Sequence, residues 1–235
     1  MFFDPLYFLF IAPALLLGIW AQLRIRWTYA VAQRMPAPLS GAAAARHILD
    51  SAGLTDVEIE QVPGHLSDHY DPRAKVLRLS PEVYHSRSLA AVGIAAHEAG
   101  HAIQDAHAYA PLVVRNAAVP VAGFGANFGI LLVILGAMLS AANPHAPLGF
   151  WMIWGGIGLF SGVVFFQVVN LPVEFNASAR AKEQLVSLGI VPPDQMPYVS
   201  QVLHAAALTY LAATLQAILT LLYLVIRFGG SSRDE

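Results

Sequence analysis

A helix carrying His97-Glu98-Ala99-Gly100-His101 would present two imidazoles one above the other, because residues i and i+4 share a face. Two imidazoles so placed can converge on one tetrahedral divalent ion at about 2.1 Å each. Glu98 lies one position round the helix, beside such an ion rather than on it, where its carboxylate can take a proton from a metal-activated water. Ala99 and Gly100 are small and let another backbone come close to the same face. The chemistry implied is zinc-assisted hydrolysis with Glu98 as general base. Two surface histidines on an ordinary helix are the alternative. Against it, the preceding Leu89-Ala90-Ala91-Val92-Gly93-Ile94 is apolar and helix-compatible. Burial there would make three unpaired ionisable groups expensive unless a metal satisfied them.

The chain has no cysteine, which excludes disulfides, thiolate zinc sites and cysteine nucleophiles and leaves His, Asp and Glu as ligands. A catalytic zinc needs a third protein ligand, and no histidine follows His101 at metzincin spacing. The candidate is Glu174, in Asn170-Leu171-Pro172-Val173-Glu174-Phe175-Asn176-Ala177-Ser178-Ala179-Arg180. Pro172 suggests a helix start there, with Glu174 just inside it and Asn176 and Ser178 as hydrogen-bonding support for the ligands. An interfacial Glu174 paired with Arg180 or Lys182 across one turn is the alternative. Peptide hydrolysis also develops an oxyanion that wants a donor. His69, Tyr70, Arg180, His204 and Tyr210 are all chemically able, and the sequence does not choose among them. Asp68, Asp71 and His65 could hold a second metal, although a turn is the commoner use of an Asp- and Pro-rich stretch.

These side chains sit in an unusually apolar chain. Of 235 residues 57% are hydrophobic and 12% charged, against about 45–50% and about 25% in ordinary soluble domains. A net charge of -2 offers no basic field for a nucleic acid backbone, so nucleic acid is not an expected partner. Measured against the roughly 20 apolar residues a bilayer crossing needs, four runs qualify: residues 7–23, 117–142, 148–169 and 203–226. Trp151 and Trp154 open the third as an interfacial aromatic belt would. The start, Met1-Phe2-Phe3-Asp4, lacks a basic n-region, so the first run is expected to remain as an anchor. Lys and Arg concentrate in residues 24–115 and 180–182, which the positive-inside rule places in the cytoplasm, with the Asn143–Pro147 turn and both termini outside. Arg227 and Arg233 oppose that placement of the C-terminus. His101 and Glu174 are separated by two crossings, which returns both to one side.

Residues 24–115 are the one stretch long enough for a small mixed domain between crossings. Ser40 reads as the N-cap of a helix over 41–51 ending before Gly53. Val57, Ile59 and Gln61 alternate with acidic residues as a half-buried strand; residues 63–72 read as turns. Lys75-Val76-Leu77-Arg78-Leu79-Ser80 reads as a second strand, on whose edge an extended peptide could add. Ser80-Pro81 opens a helix that continues or restarts at Ser88 and reaches at least His107. The organisation expected is an anchor (1–23), a zincin-like α+β domain (24–115), a transmembrane hairpin (116–170), a helical segment with the third ligand (171–202) and a last crossing with its tail (203–235). The fold class is a mostly α membrane protein with about four transmembrane helices and a small α+β domain at the membrane surface.

Taken together, Asp68-His69-Tyr70-Asp71-Pro72-Arg73, Leu77-Arg78-Leu79-Ser80, His97-Glu98-Ala99-Gly100-His101-Ala102-Ile103-Gln104 and Glu174-Phe175-Asn176-Ala177-Ser178 resemble the YugP-type neutral zinc metallopeptidases of bacterial membranes. The resemblance spans most of the chain. It implies a gluzincin-like site with His97, His101 and Glu174 on Zn²⁺, Glu98 as base, a location in the bacterial plasma membrane, and distant kinship to the HtpX-type membrane proteases. In that wider group an Asp often stands four residues after the ligand Glu, where this chain has Ser178.

The function expected is a membrane endopeptidase acting on protein or peptide substrates from the cytoplasmic side. An intramembrane protease would need the motif inside a spanning helix, and residues 89–103 are short for that. A non-catalytic zinc-stabilised scaffold would not need Glu98.

Overall fold

The computed structural model describes residues 4–143, 145 and 147–230. Helix α1 (Pro5–Gln33) is followed by α2 (Gly41–Ser51), strands β1 (Glu58–Gln61), β2 (His69–Asp71) and β3 (Val76–Leu79), then α3 (Pro81–His85) and α4 (Leu89–Ala106). Beyond them come α5 (Ala110–Phe124), a π-helical turn (Gly125–Gly129), α6 (Ile130–Ala142), α7 (Pro147–Ser187) and α8 (Met196–Gly229). Four helical stretches are long and apolar enough to cross a membrane: Pro5–Gln33, Ala110–Ala142, Pro147–Ser187 and Met196–Gly229. The mostly helical fold with four candidate spans and a small sheet is the class that composition and the apolar runs imply.

The chain divides into two compact units. The first comprises Met1–Ile19, Val114–Leu171 and Tyr210–Glu235. Its core gathers Val133, Ile153, Ile157, Tyr223 and Leu224. Glycines let its helices touch backbone to backbone: a Cβ on Gly136 would lie 2.7 Å from the Gly149 carbonyl oxygen. Small residues serve this purpose in membrane helix pairs, where apolar burial alone does not drive association. Tyr223 donates from its hydroxyl to Asp4 Oδ2 at 2.7 Å, tying the far end of α8 to the start of α1.

The second unit comprises Trp20–Val113 and Pro172–Thr209. Capping residues set its helix starts as their types predict. Ser40 Oγ accepts from the Ala43 N–H at 3.3 Å, and Ser88 Oγ accepts from the Ala91 N–H at 3.2 Å. The Pro81 helix stops at His85, so α4 is a restart rather than a continuation. Ala44, Ala45, Ile48 and Leu49 of α2 are fully buried with Leu89, Val92, Ala95, Ala96 and Ala99 of α4 in one apolar core.

Two readings of the sequence need correction. The stretch read as turns contains β2, and the sheet order is β1-β3-β2, with β1 parallel and β2 antiparallel to β3. Lys75 to Ser80 therefore form no free edge: Val76–Leu79 are the central strand, bonded on both sides. That removes Lys75, Val76, Leu77, Arg78, Leu79 and Ser80 as a substrate-pairing edge. The outer edges belong to β1 and β2. The second correction concerns Pro172, which lies inside α7 rather than at a helix start. An interior proline costs about 3 kcal/mol in an isolated helix. Here Val173, Ala177, Ala181 and Leu185 bury one face of α7 after the proline, and that packing holds the helix continuous.

Candidate metal centre

His97 and His101 stand on α4 with ring centroids 4.8 Å apart. Glu174 enters from α7, separated from them in sequence by α5, α6 and the first half of α7. Its Oε2 lies 3.3 Å from His97 Nε2 and 3.8 Å from His101 Nε2. One ligand atom from each of the three residues lies within 4.8 Å of the others, the only such grouping of three His, Asp or Glu side chains among the described residues.

Gly100 explains why α7 can come so near. A Cβ there would sit 2.7 Å from the Ala177 carbonyl oxygen, one turn beyond Glu174. That is closer than real Cβ atoms come, so only glycine permits the two helices this approach.

Hydrogen bonds occupy the far side of each imidazole. Ser178 Oγ lies 3.1 Å from His97 Nδ1, and Gln104 Oε1 lies 3.0 Å from His101 Nδ1. Both Nε2 atoms are thereby turned toward Glu174. Gln104 donates from Nε2 to the Val173 carbonyl at 2.8 Å and to Asn176 Oδ1 at 3.0 Å. Asn176 Oδ1 also accepts from Arg180 Nε at 2.8 Å. Burial by itself would lower the pKa of His101; the Glu174 carboxylate and the Glu98 charge outweigh it and hold the ring above its ordinary value. Glu98 itself is half-buried on α4. Glu174, 6% exposed, is a buried carboxylate that without partners would be costly.

The donor set suits zinc. Two imidazole nitrogens and one carboxylate oxygen are three protein ligands of the kind catalytic zinc sites use, and hydrogen bonds at both Nδ1 atoms are the usual support for such ligands.

Of the residues singled out from sequence, His97, His101, Glu174, Ser178 and Asn176 are brought together. Tyr70 instead donates its hydroxyl to Asp105 Oδ2 at 3.1 Å, which raises its pKa further above the value that burial alone would give. Arg180 is held by Asn176, and its Nη1 lies 3.5 Å from His107 Nδ1. His69 is exposed, with Nδ1 2.9 Å from the Ser67 carbonyl oxygen. His204 is an exposed residue of α8, and Tyr210 belongs to the other unit. Asp68 accepts from the Ser80 N–H and hydroxyl, Asp71 from Arg78, Arg73 and Ala74, and His65 pairs with Glu82. They are turn and strand supports. Gln104 was not foreseen as a functional residue; its place three positions after His101, on the same helical face, was the available signal.

A family model described as "Putative neutral zinc metallopeptidase" matches residues 7–229. A protein of Bacillus subtilis (strain 168) named "Putative membrane protease YugP" is 43% identical over 231 residues, covering 97% of this chain and 99% of that protein. No solved structure matches. With nearly its whole length covered by both comparisons, the chain belongs to the neutral zinc metallopeptidase family.

Proposed function

We propose that the chain is a membrane endopeptidase in which His97, His101 and Glu174 hold one zinc ion and Glu98 is the general base, with the site on the cytoplasmic side. The observation that carries this reading is the convergence of two imidazole Nε2 atoms and a buried carboxylate from a sequence-distant helix within 4.8 Å. Zinc bound there supplies Lewis acidity to a water and to the carbonyl of a peptide bond.

The chain's own residues do the rest. Glu98, adjacent to His97 in sequence and half-buried, takes the proton of the attacking water as the carbonyl carbon becomes tetrahedral, then hands it to the departing amine. Ser178 and Gln104 keep the two imidazoles from turning. Gly100 and Ala177 fix the spacing of α4 and α7, and so the distance from Glu174 to the histidines. Asp105 anchors Tyr70 of β2 to the last turn of α4. An extended peptide adding along the free edge of β2 would therefore lie on the strand tied to the motif helix.

Cleavage of a casein-like substrate by the purified protein, with and without chelator, tests the reading. Glu98→Gln should retain zinc and lose activity by about 10²–10⁴-fold. Unchanged cleavage by that variant disposes of the proposed base.

A further inference from the structure

We infer that Gln104 is a positioning residue of the metal centre: its amide fixes the tautomer of His101 and clamps the Glu174 helix to the histidine helix. The inference rests on the zinc site proposed above.

Gln104 is fully buried in α4. A primary amide has one acceptor oxygen and two N–H donors, and burial without partners would be costly at each. Its orientation follows from its neighbours. The Val173 backbone carbonyl can only accept, so the atom 2.8 Å from it is the nitrogen. A second acceptor agrees: Asn176 Oδ1 lies 3.0 Å from the same nitrogen. That atom is itself an oxygen, because Arg180 Nε, which can only donate, reaches it at 2.8 Å. Two acceptors therefore assign the nitrogen of Gln104, and the atom 3.0 Å from His101 Nδ1 must be Oε1.

An amide oxygen cannot donate. The bond to His101 exists only if Nδ1 carries the hydrogen, which in the neutral ring, the form that can bind a metal, leaves the lone pair on Nε2, the atom that faces Glu174. His97 has no equivalent, since the Ser178 hydroxyl can donate or accept and is satisfied by either tautomer. The other half of the amide acts on α7. Val173 immediately precedes Glu174 and Asn176 follows two residues later, so one buried side chain grips α7 on both sides of the ligand while holding the ring of another ligand.

Gln104→Leu and Gln104→Glu separate this role from simple packing. The leucine removes acceptor and donors together. The glutamate keeps the acceptor for His101 Nδ1 but sets an oxygen against the Val173 carbonyl and Asn176 Oδ1. Zinc affinity is measured by competition with a chromophoric chelator in detergent-solubilised protein, alongside thermal unfolding in excess chelator. Gln104→Leu should weaken zinc binding by about 10–100-fold. Gln104→Glu should unfold at lower temperature yet bind zinc more tightly than Gln104→Leu. Equal weakening by both, or no weakening by Gln104→Leu, overturns the tautomer role.

The ¹⁵N imidazole signals of His101 in the unsubstituted, metal-free chain at alkaline pH decide the matter even if a variant does not fold. Hydrogen on Nδ1 supports the assignment, and hydrogen on Nε2 overturns it. A chain that shows hydrogen on Nδ1 but binds no zinc would refute the metal centre while leaving the assignment of Gln104 intact.

Discussion

At the scale of single residues, the centre separates two jobs that carboxylates do. Glu174 is buried and lies within 4 Å of both Nε2 atoms, and the proposed reading gives it the metal; Glu98 is half-buried beside His97, and the same proposal gives it the proton. Their substitutions should therefore differ in kind. Glu98→Gln keeps shape and hydrogen bonding but abolishes the base, so zinc stays and turnover falls, which metal analysis and peptide cleavage on the same sample will show. Ser178→Ala should weaken zinc by less than Gln104→Leu does, because it removes one neutral hydrogen bond between α7 and α4 where the leucine removes three bonds of a buried amide. A larger effect at Ser178 in the same chelator competition would count against the ranking. The pairing of the two histidines was legible in the sequence because helical periodicity alone aligns them. Glu174 was legible as a demand of zinc chemistry, not of local pattern. Gln104 was read only as part of the motif: its spacing from His101 was a signal, but glutamine in an Ala-rich helix is an ordinary helix former, and the α7 oxygens that it meets are not visible in the sequence.

At the scale of elements, the site depends on α4 and α7 lying closer than side chains normally allow. Gly100→Ala should gain up to about 1 kcal/mol in helix propensity. The added Cβ, 2.7 Å from a backbone oxygen that cannot rotate away, costs about 1–3 kcal/mol in overpacking. The clash wins or cancels, and in either case α7 moves and zinc binding weakens. Gly158→Ala, where nothing lies within 4 Å, is the control and should leave zinc binding alone. Chelator competition on both variants checks this; wild-type affinity in Gly100→Ala would mean that the close approach does not govern the site. Ser80, read as a cap, makes no side-chain capping bond, and the one that Ser88 makes was not read. The helix cap at Ser40 and a candidate helix start at Ser88 were readable because residue types and apolar periodicity agree there. Strand β2 was not: three residues in an Asp- and Pro-rich stretch carry too little alternation to oppose a turn reading. The order of the sheet was hidden with it, and so was the fact that β3 has no free edge. Pro172 misled for a related reason, because a local helix breaker says nothing of the packing that overrides it.

At the scale of the whole molecule, four apolar helices and a compact unit holding the motif belong to one chain with no native cysteine. That absence makes single introduced cysteines clean reporters of orientation. Ala74, exposed between β2 and β3, falls in the basic segment, and His145 is exposed between the second and third candidate spans. The positive-inside rule predicts that Ala74→Cys resists a membrane-impermeant thiol reagent in intact spheroplasts and reacts after permeabilisation. His145→Cys should react without it. The opposite pattern would place the site outside the cell. The four candidate spans could be read from composition and run length because a bilayer imposes a length on any helix that spans it. That Pro172 lies inside α7 could not.

The central claim is that two imidazoles and one carboxylate from different helices share a single zinc ion, and metal content of folded Glu174→Ala beside the unsubstituted protein tests it most directly. The account predicts one zinc per chain in the unsubstituted protein and none retained after mild dialysis in the variant, with helical content unchanged. Full retention of zinc by the folded variant would contradict it.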